Sequence, residues 1–499
     1  MSARKVRPIH YIAYGLTDVL GAGSMAVVAG WILFFYAAFC NLSAMEASAI
    51  FAISRMLDAL WSPLVGHFSD SLGNTWIGRR FGRRRVFLLA AIPLLPSFAL
   101  MWVSGHSFWY YLCTYIFFEL VYASILVPYG TLAPEMTDDY KKLSIFAGVR
   151  MLFAQVSAIL AGILPKMIIS IVGGKDSPDT FFIMGVIFSV LFMLVVLVTY
   201  LFSWEREVSP PAYNAVAEKQ TALDALTRLY KGVGSTLKVR AFRLHLGMYL
   251  GGYICQDIFN AAFTYFVVYA VFGSVAVASS MMGAMAFTQL IAVAAFIPLI
   301  LWLQPAPSYR LACFLYVAGI LGLYALYQFS PSNILLLLYV PVLIAGLGRG
   351  GLNFIPWNIY NYIADVDEVV TGQRREGIFA GVMIFTRKTT MAIAVMVVGI
   401  LLDASGFHQG ATQQAPSAVN MIVGLMTIGP LLLLAFGIAV SLRFKLDKHT
   451  HAILMATIAR FKGGERSPAS DKDKAVVEDL TGFSYDTLWG NNAVLDVKK

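Results

Sequence analysis

Apolar stretches of about twenty residues or more, separated by short polar connections, recur along this chain: Tyr11 to Phe39, Ala44 to Phe68, Val86 to Val103, Phe108 to Leu132, and onward to Leu442. A helix of about 20 residues crosses a hydrocarbon layer roughly 30 Å thick, and no water-soluble core absorbs so many of them. The composition agrees, with 59% hydrophobic and 13% charged residues in 499. Read in windows of about nineteen residues, the sequence gives about twelve spans, so the expected class is an all-α membrane protein. The first stretch is too long for a signal-peptide core and holds Asp18, and it reads as a retained span. Cys40, Cys113, Cys255 and Cys313 show neither paired nor metal-type spacing and read as apolar fillers.

The net charge of +9 would suit a nucleic-acid partner if it were clustered on a soluble face, but its distribution excludes that. Arg4, Lys5 and Arg7 precede the first span, Arg79, Arg80, Arg83, Arg84 and Arg85 lie between the second and third, and Lys141 and Lys142 between the fourth and fifth. The alternate connections "CNLSAME", "SGHS", "SPSN" and "DASGFHQGATQQAPSA" carry no Lys or Arg, and only Lys175 breaks the pattern. This asymmetry predicts a multi-pass protein of the plasma (inner) membrane, both termini cytoplasmic.

The polar segment 204–240 divides the chain into an N-terminal six-span half, 1–203, and a C-terminal six-span half, 241–443, followed by a cytoplasmic tail, 444–499. The tail opens with the amphipathic "DKHTHAILMATIARF" and continues with "KGGERSPASDKDK", whose composition reads as disordered. The pentapeptide Ile-Phe-Ala-Gly-Val occurs at Ile145 and again at Ile378. Each copy follows a span containing a proline, Pro128 or Pro356, and an acidic-then-basic loop, so each marks the fifth span of its half. A fainter echo links "YGLTDV" at Tyr14 to "YICQDI" at Tyr253 and puts Asp18 and Asp257 at matching points. Parallel six-helix halves around a central cavity form the layout of major facilitator transporters. "GHFSDSLGNTWIGRRFGRRR", Gly66 to Arg85, resembles the loop between the second and third spans of that superfamily, with an insertion. Asp70, Arg83 and Arg84 are its gating candidates, against the plainer reading that the arginines only hold the loop at anionic headgroups.

An ionisable side chain deep in a span costs several kcal/mol unless it faces a polar cavity or a partner, so each one is a functional candidate. They are Asp18, Arg55, Asp58, Glu119, Arg150, Asp257, Arg349, Arg387 and Lys388. Arg55, Asp58 and Ser62 share one helical face, which suits either a cation or proton site or a structural ion pair. Arg150 and Lys388 stand at nearly equivalent points of the fifth and eleventh spans and would offer cations to a solute or to Asp18 and Asp58. Arg387 reads as a group reaching headgroups or a helix end. Tyr14, Tyr122, Trp357 and Tyr360 suit stacking on a sugar ring. No phosphate-cradling Gly-rich loop and no metal-spaced His or Cys cluster is found, so neither an ATP-driven pump nor a cofactor is expected.

"RMLDALWSPLVGHFSD", "IADVDEVVTGQRREGIFAGV" with "TRK" beyond it, and "LDKHTHAIL" together resemble the glycoside/pentoside/hexuronide:cation symporter family of the major facilitator superfamily, the melibiose permease group, from Tyr11 to Phe461. The resemblance implies a cation site at Asp58, with Ser62 where the family pattern has a second acid. It implies a sugar-binding acid at Asp18, basic residues at Arg150 and Lys388, and a span-four tyrosine at Tyr122. Leu126 stands in place of the span-four sugar-binding acid, with Glu119 two turns away on the same face. Asp365 and Arg374, in the signature after the tenth span, join the gating set. With one carboxylate missing, an oxygen cage for Na⁺ is harder to build and H⁺ becomes the favoured coupling ion. The expectation is therefore a monomeric secondary symporter of a sugar, glycoside or hexuronide-type solute, acting by alternating access and not an enzyme. Substrate would meet Asp18, Glu119, Tyr122, Arg150, Trp357 and Lys388. A lysolipid symporter of the same fold and a non-transporting sensor signalling through its tail are the alternatives.

Overall fold

A computed structural model describes residues 6–72, 75–137, 140–172, 177–205, 234–372, 375–408, 411 and 413–491. The long elements among them are all α-helices. In the first half these are α1 (Pro8–Leu16), α2 (Asp18–Phe39), α3 (Ala44–Ser71), α4 (Trp76–Phe81), α5 (Arg85–Ala91), α6 (Ser97–Leu100), α7 (Phe108–Gly130), α8 (Leu132–Met136), α9 (Tyr140–Val172) and α10 (Pro178–Phe202). In the second half they are α11 (Arg240–Tyr265), α12 (Val275–Leu303), α13 (Pro305–Phe329), α14 (Ile334–Leu337), α15 (Tyr339–Thr371), α16 (Glu376–Ala404) and α17 (Pro416–Arg443). Two more, α18 (Lys448–Lys462) and α19 (Asp471–Thr481), belong to the tail. Most of the expected linker, 206–233, lies outside the described residues.

Among the described residues, ten helical segments are long and apolar enough to cross a membrane. Two of the twelve expected spans take other forms. The third is broken into α5, a 3₁₀ turn at Ile92–Leu94 and α6, because Pro93 and Pro96 remove backbone donors there. The seventh is α11, which is continuous but carries Arg243, His245, Gln256 and Asp257. The first span is broken too: α1 ends at Leu16, Thr17 accepts from both Leu20 and Gly21, and Asp18 opens α2. A carboxylate in that position faces the positive end of a helix.

The contacts group the chain into two compact units, one of residues 1–225, 260–287 and 391–425, the other of 226–259, 288–390 and 426–499. In the first, the repeated pentapeptide packs α9 on the first span: Phe146 is buried against the rings of Tyr11 and Tyr14, at 4.6 and 5.0 Å. Val149 lies so close to Gly15 that a side-chain carbon there would sit 2.7 Å from it. In the second unit Phe379 of the other copy stacks edge-on against Phe242 of α11 at 4.7 Å. Each copy thus uses its phenylalanine to seat the fifth span of its half on the first. In the second unit α13 and α15 approach closely, since a Cβ on Gly348 would lie 2.5 Å from the Tyr316 backbone nitrogen.

The tail departs from the expectation of disorder. Ser470 caps α19 by accepting from Asp473 N at 3.1 Å, Asp471 and Asp473 place negative charge in its first turn, and Gly482 ends it at φ +80°. Val477 and Leu480 are buried, and Phe461, Tyr485 and Trp489 form one aromatic cluster. Charge and proline in "KGGERSPAS" masked a capped amphipathic helix beginning directly after it.

Candidate functional site

Matching ion pairs stand in the two halves. In the first, Arg150 of α9 donates from Nε to Asp18 Oδ2 at 2.6 Å and from Nη2 to Oδ1 at 3.2 Å. The Tyr129 hydroxyl donates to the same carboxylate at 2.7 Å, and the guanidinium lies over the Tyr129 ring at 4.8 Å and the Tyr14 ring at 5.9 Å. In the second, Arg387 of α16 donates twice to Asp257 of α11, at 2.5 and 2.7 Å, and lies over Tyr253 at 4.8 Å. The Trp357 indole donates to the Tyr253 hydroxyl at 3.2 Å. Tyr14 and Tyr253 each precede their aspartate by one helical turn, so both halves build an Asp–Arg pair beside an aromatic wall from the same Tyr-x-x-x-Asp string. Arg387, expected at headgroups or a helix end, is the partner of Asp257. Lys388 is its half-buried neighbour on α16.

A second cluster joins α3 to α7. Arg55 lies 3.2 Å from Glu119 Oε1 and 3.9 Å from Asp58 Oδ2, with all three side chains at most 3% exposed. The Ser62 hydroxyl points to Asp58 Oδ1 at 3.1 Å and to the Asp58 carbonyl at 2.9 Å. Arg55 also contacts Met25 Sδ and the Phe51 ring. Glu119, expected with the solute, is therefore packed beside the expected cation site. The Tyr122 hydroxyl donates to the Gly21 carbonyl at 3.0 Å and ties α7 to α2.

On the side bearing the basic loops, Arg83 and Arg84 both reach Glu135, at 2.6 and 2.8 Å. Glu205 accepts from the backbone N–H groups of Arg83, Arg84 and Arg85 at 3.0, 2.9 and 2.7 Å, anchoring the start of α5. In the second unit Asp365 pairs with His451 at 2.8 Å and Glu368 with Lys462 at 2.7 Å, both on α18. Asp367 accepts two hydrogen bonds from Arg375, at 2.8 and 2.6 Å, and Trp489 and Gly490 N–H donate to the Val369 and Val370 carbonyls at 2.8 and 2.9 Å. The Asp70 side chain and Arg374 lie outside the described residues. Glu135, Glu205 and Arg375 were missed by sequence reasoning. The only available signal was an opposite charge in a loop on the same side.

Among the described residues no group of His, Cys, Asp and Glu could hold a metal ion. The arrangement offers instead buried charge pairs whose members can exchange partners with a small polar solute or a cation.

The uncharacterized symporter sll1374 of Synechocystis sp. is 25% identical over 486 residues, covering 82% of this chain and 87% of that protein. The glucuronide carrier protein homolog of Escherichia coli (strain K12) is 23% identical over 442 residues, covering 85% and 90%. Among solved structures, a bacterial homologue of the human drug peptide transporters PepT1 and PepT2 superposes with TM-score 0.60 at 12% identity, covering 90% of this chain and 99% of that one, a likeness of fold alone. The family model described as "MFS/sugar transport protein" matches residues 13–448. With the helical halves and their charge pairs in hand, the chain is a multi-pass membrane transporter, not an enzyme, and belongs to the MFS/sugar transport protein family.

Proposed function

We propose that this protein is a monomeric symporter that couples inward movement of a cation, H⁺ in preference to Na⁺, to uptake of a sugar-type solute, a glycoside or hexuronide, by alternating access. The observation that carries the reading is the pair of aromatic-walled Asp–Arg sites, one per half, in otherwise apolar helices. Guanidinium groups bind a carboxylate or vicinal hydroxyls and aromatic faces take the CH side of a sugar ring. The similarity to a glucuronide carrier protein homolog supports the acidic end of that range. Asp58, buried beside Arg55 with Ser62 at hand, supplies the ion site. The basic loops support a plasma-membrane orientation with both termini in the cytoplasm.

The test has two arms. Purified protein is melted with a panel of glycosides, methyl glucuronides, uronates and lysolipids, where a bound solute at a hundred times its Kd adds about 2.7 kcal/mol. The stabilising solute is then offered to proteoliposomes with an acid-outside gradient. Accumulation that Asp58→Asn abolishes, with downhill exchange retained, is the expected result. A panel without effect removes the sugar reading, and unimpaired accumulation by Asp58→Asn removes the coupling reading.

A further inference from the structure

The carboxyl end of the tenth span, α15, is completed by the tail. A helix leaves its last four carbonyls without donors in its own ladder. Here the Val369 and Val370 carbonyls accept from Trp489 and Gly490 N–H at 2.8 and 2.9 Å. We propose that the tail, residues 448–490, is an intramolecular strap: it caps α15 from outside, holds the acidic turn 365–368 in place, and by opening decides when that turn becomes mobile. The inference concerns the second compact unit alone and goes beyond the transport reading, since it holds whatever solute or ion is carried.

Three parts of the tail close the strap. α18 supplies charge, with His451 Nε2 2.8 Å from Asp365 Oδ2 and Lys462 Nζ 2.7 Å from Glu368 Oε1. Asp365 and Glu368 are three residues apart and so share one helical face. The segment after α19 supplies the two backbone donors and the Trp489 indole. That ring covers Gly372, the left-handed residue that ends α15: a Cβ there would meet it at 3.5 Å. α19 supplies a second footing, because Asp479 takes Arg240 of α11 at 2.5 Å and Lys445 at 3.2 Å. Gly482 lets the chain pass α11 closely, since a Cβ on it would lie 3.0 Å from Arg240 Cβ. The strap therefore joins the start of α11 to the end of α15. Asp367, in the same acidic turn, is held by Arg375 from outside the tail.

The closure is strained at one residue. Trp489 has φ +59°, a region that residues with bulky side chains rarely enter. Such backbone persists only where its surroundings over-determine it. Here the ring lies 5.4 Å from Phe461 and under the Arg466 guanidinium at 5.7 Å, while the N–H is bonded to Val369. Strain opposes closure and the ring contacts favour it, which makes a latch out of what would otherwise be a fixed part of the core. The exposed ion pairs add little, with Lys462 and Lys445 60% and 64% exposed. The family model ends at residue 448, so the strap lies beyond the part of the chain that it matches. Asp365 and Arg374, two of the gating candidates, flank Gly372 in sequence, and the strap thus bears on that set.

Hydrogen–deuterium exchange of the full-length protein in lipid tests this, followed in peptides covering 365–372, 341–352 and 473–490. In the wild type 365–372 should be protected. Trp489→Ala keeps the strained backbone position and loses the ring, so the strap should open. Exchange in 365–372 should then rise about tenfold, as loss of one or two net hydrogen bonds implies, with 341–352 unchanged. Trp489→Gly also lacks the ring but adopts positive φ freely, and should fall between the wild type and Trp489→Ala.

A tail that is folded but does not restrain the span would exchange faster in 473–490 alone, leaving 365–372 as in the wild type, and that overturns the proposal. So does a rise in 341–352 equal to that in 365–372, which marks general destabilisation. Faster exchange in Trp489→Gly than in Trp489→Ala overturns it as well, because the strained backbone would then play no part. If the pattern is as stated while no solute in the panel binds, the sugar reading falls and the strap stands; if a glycoside binds and Trp489→Ala leaves 365–372 protected, the strap falls and the sugar reading stands.

Discussion

The two Asp–Arg pairs look alike in sequence and differ in solvent access. The Arg387 and Asp257 side chains are 20% and 2% exposed, those of Arg150 and Asp18 36% and 13%. Removing one member of a buried pair strands the other charge at about 3–5 kcal/mol, whereas a partly solvated pair is worth about a kcal/mol or less. Arg387→Ala should therefore lower the melting temperature of the detergent-purified protein sharply, and Asp257→Asn in the same background should restore most of the loss. Arg150→Ala should leave the melting temperature nearly unchanged and abolish stabilisation by the solute. Equal losses of stability in the two arginine variants would refute the division into a structural pair and an exchangeable one.

Helices are held together here by close approach as well as by charge. A methyl added at Gly348 would meet the Tyr316 backbone at 2.5 Å, so Gly348→Ala should separate α13 from α15 at a cost of about 1–3 kcal/mol, read as a lowered melting temperature. Gly148, inside the repeated pentapeptide, has nothing within 4 Å of such a methyl, and Gly148→Ala should be neutral or stabilising by up to about 1 kcal/mol. The small residues of the pentapeptide do not all mark tight contacts; in the first copy Phe146 and Val149 make the packing. The tail has its own anchor in the ring of Trp489, 5.4 Å from Phe461 and stacked with Arg466. Trp489→Ala should free the segment between α18 and α19, and trypsin should then cut at Arg466 several-fold faster.

On the scale of the molecule, the first compact unit includes residues 260–287 as well as the first half. Tyr265 donates to the Leu33 carbonyl at 2.9 Å, Thr264 to Gly30 at 3.3 Å, and the Ser279 hydroxyl to Gly162. Residues 1–225 expressed alone should therefore be recovered poorly in detergent, and co-expression with 226–499 should restore a monodisperse particle. The spans, the two halves and the acids within the membrane were legible from apolar length, repeat and charge. Partner choice was not: a lipid-facing surface and a packed surface are both apolar, so periodicity does not tell which way Arg387 or Glu119 turns. Pairs such as Arg55 with Glu119 and Glu205 with Arg83 also lie far apart in sequence. The contacts of Trp489 and Gly490 with the end of α15 carry a consequence for biogenesis. Val369 leaves the ribosome on the order of ten seconds before Trp489 does, at ordinary elongation rates. The acidic end of the tenth span must therefore remain soluble uncovered through the synthesis of the last two spans, and its cover can close only after Trp489 and Gly490 have been made.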